Sequence, residues 1–98
     1  MALKIVWSKR AKTKFDQIIS YLINEWGENS AKQFIVKVFD FLDLLTEYPE
    51  IGSIENKEKN IRGFTIVRQV NIYYRIKGDT IIIILFFDNR QHPKKKRI

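Results

Sequence analysis

Thr80-Ile81-Ile82-Ile83-Ile84-Leu85-Phe86-Phe87 is the stretch that decides the fold. It follows the short turn Lys77-Gly78-Asp79, in which glycine can take a positive φ, so it reads as the second strand of a hairpin. A strand that is apolar at nearly every position is buried on both faces and belongs inside a sheet. Its hairpin partner, residues 70–76, alternates cleanly. Val70, Ile72, Tyr74 and Ile76 share one face, and Asn71, Tyr73 and Arg75 share the other. Residues 61–67 form a further strand. Residues 2–7 form the N-terminal one, with Leu3, Ile5 and Trp7 opposed to Lys4 and with Val6 as the exception. The last strand is therefore placed between its hairpin partner and the N-terminal strand.

Between these strands the period changes from 2 to 3.6. Ser8 suits a helix N-cap, and Ala11, Phe15, Ile18, Ile19, Leu22 and Trp26 follow at helical spacing up to Gly27. Asn29 or Ser30 can cap a second helix. Its stripe is Ala31, Phe34, Ile35, Val38, Leu42 and Leu45, widened by Phe39, Phe41 and Leu44. Tyr48-Pro49 ends it, because a residue before proline is pushed out of the helical region. A connection of about two to four residues makes the pair an antiparallel hairpin. Residues 50–60, with Gly52 and a mixed-charge run, read as a loop. The expected architecture is α+β with order β-α-α-β-β-β. A helix hairpin packs on one face of a small, mostly antiparallel sheet, in a single domain 1–98 with a basic tail 88–98. Strict alternation sends Ile81, Ile83, Leu85 and Phe87 one way, and Ile82, Ile84 and Phe86 the other. The helices cover one set. The other leaves an apolar stripe beside Tyr73 that a partner protein would cover.

Composition narrows the function classes. The chain has no cysteine, which removes disulfide scaffolds and thiolate metal sites. No apolar run approaches the roughly 20 residues of a membrane span, and the N-terminus lacks the plan of a signal peptide, so a cytoplasmic protein is expected. There is no phosphate-cradling glycine loop, zinc spacing, nucleophile elbow or carboxylate pair arranged for acid–base work, and no metal or cofactor is expected. The net charge is +7. Residues 1–49 hold 7 basic and 6 acidic side chains, whereas residues 50–98 hold 11 and 5. So one-sided a field points to an anionic partner, either nucleic acid or an acidic protein segment.

The ordered set of local features resembles the RelE/ParE toxin superfamily, and within it the ParE branch. The pieces are Trp7-Ser8 before a helix with Ala11, then Ile18-Ile19 and Tyr21, and Ala31 with Phe34. Tyr48-Pro49 with Gly52, an Arg-bearing strand, Ile72-Tyr73-Tyr74-Arg75-Ile76 and Asp88-Asn89-Arg90-Gln91-His92-Pro93 complete the set. The resemblance covers nearly the whole chain. It implies a growth-inhibiting cytosolic toxin held inactive by a cognate antitoxin, as a homodimer or a toxin–antitoxin hetero-oligomer. The stripe Ile82, Ile84 and Phe86 with Tyr73 is then the antitoxin contact. Two targets are implied. RelE-like members cut mRNA on the ribosome without a metal, and ParE-like members poison DNA gyrase without catalysis of their own.

Metal-free RNA cleavage needs a base for the 2′-OH, cations on the crowded phosphate and an acid for the leaving oxygen. The candidates here are Arg68, Tyr73, Arg75, Arg90 and His92. The set is incomplete, because position 88 holds Asp where some members carry His, and the tail lacks tyrosine. Arg90, Lys94, Lys95, Lys96 and Arg97 are the expected target-binding residues. A ParE-like toxin acting on gyrase is therefore the first reading, an mRNA endonuclease the second, and a non-toxic basic nucleic-acid-binding module the third.

Overall fold

A computed structural model describes residues 3–89. In it the N-terminal strand β1 (Lys4–Trp7) ends at Ser8. The Ser8 backbone is extended, and its hydroxyl accepts from the Ala11 amide at 3.0 Å, satisfying one free donor of the first helical turn. Helix α1 (Lys9–Trp26) follows and turns Ala11, Phe15 and Ile18 inward. Gly27 alone, at φ 90°, joins it to α2 (Glu28–Glu47). A side chain would strain that backbone, which is why glycine stands there. The connection is thus shorter than expected, and neither Asn29 nor Ser30 caps α2. The Ser30 hydroxyl donates back to the Trp26 carbonyl at 3.4 Å instead. Helix α2 buries Ala31, Phe34, Val38, Phe41, Leu42 and Leu45, and leaves Phe39 and Leu44 exposed.

Four more strands complete the sheet: β2 (Ser53–Asn56), β3 (Ile61–Val67), β4 (Val70–Lys77) and β5 (Thr80–Asp88). Their order is β1-β5-β4-β3-β2, with β1 parallel to β5 and every other pair antiparallel. The α+β architecture and the interior position of β5 are as its apolar run requires. Strand β2 corrects the reading of residues 50–60 as a loop. It is a short edge strand whose Ser53, Ile54 and Glu55 are exposed, so it carries no burial pattern.

A β-bulge in β5 corrects the alternation. Tyr73 pairs with Leu85 but Tyr74 pairs with Ile83, so Ile84 is an extra residue and the phase of β5 shifts after it. Before the bulge Ile81 and Ile83 face the helices; after it Phe86 does. Phe86 is fully buried, with its ring 5.4 Å from those of both Trp7 and Phe15. It is core and cannot belong to an open stripe. Leu85 and Phe87 turn to the other face, where they join Ile61 and Tyr73 in a second small cluster with Ile84 packed against it. Ser8 stabilises the bulge. Its amide donates to the Ile83 carbonyl at 2.9 Å and its hydroxyl to the Ile84 carbonyl at 2.7 Å.

Ser8→Ala removes a helix cap and leaves the Ile84 carbonyl without that donor, so it should cost about 2 kcal/mol in urea unfolding. Ser8→Thr, which keeps the hydroxyl, should recover most of that loss.

Candidate functional site

The sheet face turned away from the helices is the candidate site, and its register lays side chains out in rows. Thr65, Asn71 and Phe87 form one row, and Ser53, Gly63, Tyr73 and Leu85 the next. Ile61, Arg75, Ile82 and Val6 follow, and Lys77, Thr80 and Lys4 lie at the hairpin end. Gly63 shapes the middle. A Cβ there would meet the Tyr73 ring at 2.7 Å and the Glu55 side chain at 2.9 Å. Its absence lets the Tyr73 ring lie down across the strand. Tyr73 is consequently almost wholly buried, and its hydroxyl accepts from Asn71 Nδ2 at 3.2 Å, while Asn71 Oδ1 accepts from the Thr65 hydroxyl at 3.0 Å.

Of the candidate catalytic residues that are described, Tyr73 and Arg75 stand two apart on the open face of β4, and Arg68 lies beyond the other end of that strand. Arg68 is exposed in the β3–β4 turn, next to Gln69, whose carbonyl accepts from the Asn89 amide at 2.7 Å. Arg75 lies five residues beyond the start of β4, roughly 17 Å along the strand. Arg90, His92, Lys94, Lys95, Lys96 and Arg97 lie outside the described residues. Asp88 is buried at the end of β5 in register with Val70. The expected stripe is reduced. Ile82 and Ile84 are half-buried, Tyr73 is buried, and Phe86 is on the opposite face. Between the two ends, Ser53, Gly63, Thr65, Asn71 and Tyr73 are uncharged, and Glu55 brings an acid beside them. Among the described residues no three His, Cys, Asp or Glu side chains cluster as metal ligands, and no helix is long and apolar enough to cross a membrane.

Residues 5–93 match the sequence model of the ParE toxin of the type II toxin–antitoxin system parDE. The chain belongs to this toxin family. No curated protein sequence matches it significantly. The chromosomal ParDE system of P. aeruginosa contains a chain of similar fold, with TM-score 0.74 and 17% identity over 89% of this chain and 96% of that one. A YoeB/ParE toxin from Agrobacterium tumefaciens gives 0.62 and 13%, over 88% and 98%. A mutant of the E. coli toxin RelE in the free state gives 0.62 and 13%, over 95% and 90%.

Two further features bear on how this ParE-family chain presents its surfaces. Strand β1 pairs with β5 only as far as Trp7 opposite Ile83, and then leaves as α1. Beside the remaining length of β5 lies a groove of about 720 Å³, lined by Lys9, Arg10, Thr13, Lys14 and Gln17 of α1 and by Leu85, Phe86 and Phe87. This basic groove is not visible in sequence, since it exists only because β1 stops halfway along β5. On the helix side, Tyr74 ties down the exit of α2. Its hydroxyl donates to the Pro49 carbonyl at 2.7 Å and accepts from the Gly52 amide at 2.9 Å. Arg62 completes the clasp, donating to the carbonyls of Glu50 at 3.1 Å and Gly52 at 2.8 Å. Arg62 is thus occupied in holding the loop. Burial raises the Tyr74 phenol above its ordinary value of 10.0, outweighing the opposing effects of the Gly52 hydrogen bond and the Arg62 charge.

Gly63→Ala should force the Tyr73 ring off its seat and cost about 1–3 kcal/mol by overpacking, read in thermal melts. The raised Tyr74 pKa makes a second expectation. The unfolded chain ionises first, so this stabilisation is complete below the unfolded-state value and is lost as pH rises through the folded one. Stability measured across the alkaline range should therefore fall less steeply in Tyr74→Phe than in the unaltered protein. Parallel slopes would detach the clasp from that titration.

Proposed function

We propose that this protein is a ParE-like toxin that acts by binding and poisoning a target, with DNA gyrase as the candidate, and that it performs no catalysis itself. The observation that carries the reading is the make-up of the open sheet face. Metal-free RNA cleavage needs cations converging on one phosphate beside a free acid and base. Among the described residues the middle of the face carries no cation, its one acid, Glu55, accepts from the Ser53 hydroxyl at 3.0 Å, the Tyr73 hydroxyl is buried and engaged, and Arg68 and Arg75 stand at opposite ends. Arg90, with Lys94, Lys95, Lys96 and Arg97, then serves as the target-binding element by charge and by the bidentate geometry of arginine rather than by proton transfer.

A cognate antitoxin is the second partner in this reading. Among the proteins of similar fold are chains from a ParDE system and from the E. coli DinJ–YafQ toxin–antitoxin complex. The groove beside the unpaired length of β5 fits an extended antitoxin segment. Backbone groups of Leu85 to Phe87 line it, and Lys9 and Arg10 supply charge opposite to an acidic rim. Ile82 and Ile84 remain antitoxin contacts in this proposal, without Phe86.

Induced expression in bacteria, with DNA supercoiling and translation followed separately, tests the reading. A gyrase-dependent DNA-damage response is expected, with protein synthesis continuing in the first minutes. Arg90→Ala should weaken toxicity without lowering the melting temperature, and Arg90→Lys should restore it only in part. Rapid translation arrest with codon-phased mRNA cuts would instead establish the endonuclease.

A further inference from the structure

The cationic excess of the second half of the chain is not confined to the tail. Its register places Arg75 and Lys77 on the open face at the hairpin end of β4, and Lys4 of β1 shares that face, because Lys4 and Lys77 both pair with Thr80. Turn residues 57–60 lie at the same end, since Asn60 Nδ2 donates to the Ile76 carbonyl at 3.2 Å. Lys57 and Lys59 come with them. Two acids accompany these five cations, Glu58 and Asp79, and the Asp79 carboxylate already accepts from the Thr80 hydroxyl at 3.1 Å.

Arg75 is the singular member. It is half-buried between Ile61 and Ile82, its partners on the neighbouring strands, and its Nε is buried with no hydrogen-bond partner among the described residues. A guanidinium nitrogen buried against aliphatic side chains and left unpaired is costly, and an anion arriving at the rest of the group offsets that cost. Arg75 and Lys77 stand about 6.8 Å apart along one strand, and Lys77 and Lys4 about 9–10 Å apart across two strand spacings. Charges so spaced on an open surface suit an extended polyanion rather than a small enclosed ligand. Ile61, Ile82 and Val6 are the apolar side chains in the same rows, and none of them can hydrogen-bond a base edge or stack on a base.

We propose that Arg75, Lys77 and Lys4 form a binding site for the sugar–phosphate backbone of a nucleic acid, at the hairpin end of β4 and β5. Contact is through phosphates alone and is independent of base sequence. The site lies roughly 25 Å from the Asp88 end of β5, a strand of nine residues.

Fluorescence anisotropy on the purified full chain tests this without reference to toxicity. Labelled single-stranded DNA, RNA of the same sequence and duplex DNA are titrated over a series of salt concentrations. One set of variants is Lys4→Ala/Lys77→Ala, whose side chains are exposed and whose loss leaves the fold intact. The second is Arg75→Gln, which removes the charge but keeps part of the aliphatic stem and a polar end. The slope of log affinity against log salt should flatten by about 0.9 per lost contact on duplex DNA and about 0.7 on single strands. The loss should be equal for unrelated base sequences. The three probes decide whether DNA or RNA supplies the phosphates. A slope unchanged in Lys4→Ala/Lys77→Ala would overturn the site, as would binding abolished wholly by Lys94→Ala/Lys95→Ala/Lys96→Ala. Displacement of the oligonucleotide at equal charge by poly-glutamate would reassign the face to an acidic protein.

Discussion

Ser8 holds three parts of this molecule in register at once. Its amide takes the Ile83 carbonyl, its hydroxyl takes the Ile84 carbonyl, and its oxygen receives the Ala11 amide. The first bond ends the parallel pairing of β1, the second satisfies the carbonyl of the bulge residue, and the third starts α1. The bulge in turn decides which aromatic residues are core. Without the extra residue at Ile84, Phe86 would leave the helix side, and Leu85 with Phe87 would press under α1. With it, Phe86 stands against Trp7 and Phe15, and a second cluster forms on the far face. One small polar side chain at a strand–helix junction thus sets the phase of the strand on which every other strand is built.

Much of the architecture is legible because the period of apolar residues changes where the elements change. The run from Ile81 to Phe87 places β5 inside the sheet, and the stripes through Phe15 and Phe34 give two helices that pack on one face. The failures have a common cause. A strand that is apolar throughout contains no polar residue to mark its phase, so a bulge within it is invisible and Phe86 falls on the wrong side. Ser53 to Asn56 fails in the opposite way, since both of its faces are wet and it offers no pattern. Alternation in β4 does put Tyr73 and Arg75 on the open face. It cannot show that Tyr73 is buried there, because that depends on a glycine from a neighbouring strand, Gly63, paired directly opposite.

Consecutive tyrosines show how the sheet divides its labour. Tyr74 points to the helices and spends its hydroxyl on Pro49 and Gly52, fixing the loop by which α2 returns to the sheet. Tyr73 points the other way and covers Gly63. Both hydroxyls are engaged in hydrogen bonds. The same holds for Arg62, whose guanidinium is committed to the carbonyls of Glu50 and Gly52. What remains after the committed groups are set aside is charge.

That charge is arranged by the hydrogen-bond register rather than by the order of the chain. Lys4 lies more than seventy residues from Lys77, yet Thr80 brings them onto one face. Lys9 and Arg10 reach a groove beside Leu85 to Phe87 only because β1 has already left the sheet. Among the described residues the sheet thus presents cations at its ends and beside one edge of β5, and Ser53, Thr65, Asn71 and Tyr73 with the single acid Glu55 at its centre. Cleavage of a phosphodiester requires cations to converge within a few ångströms on a single phosphate, whereas recognition of a polymer requires them to be spread along its length. In the proposed reading, the described cations at the margins of this face serve the second requirement rather than the first.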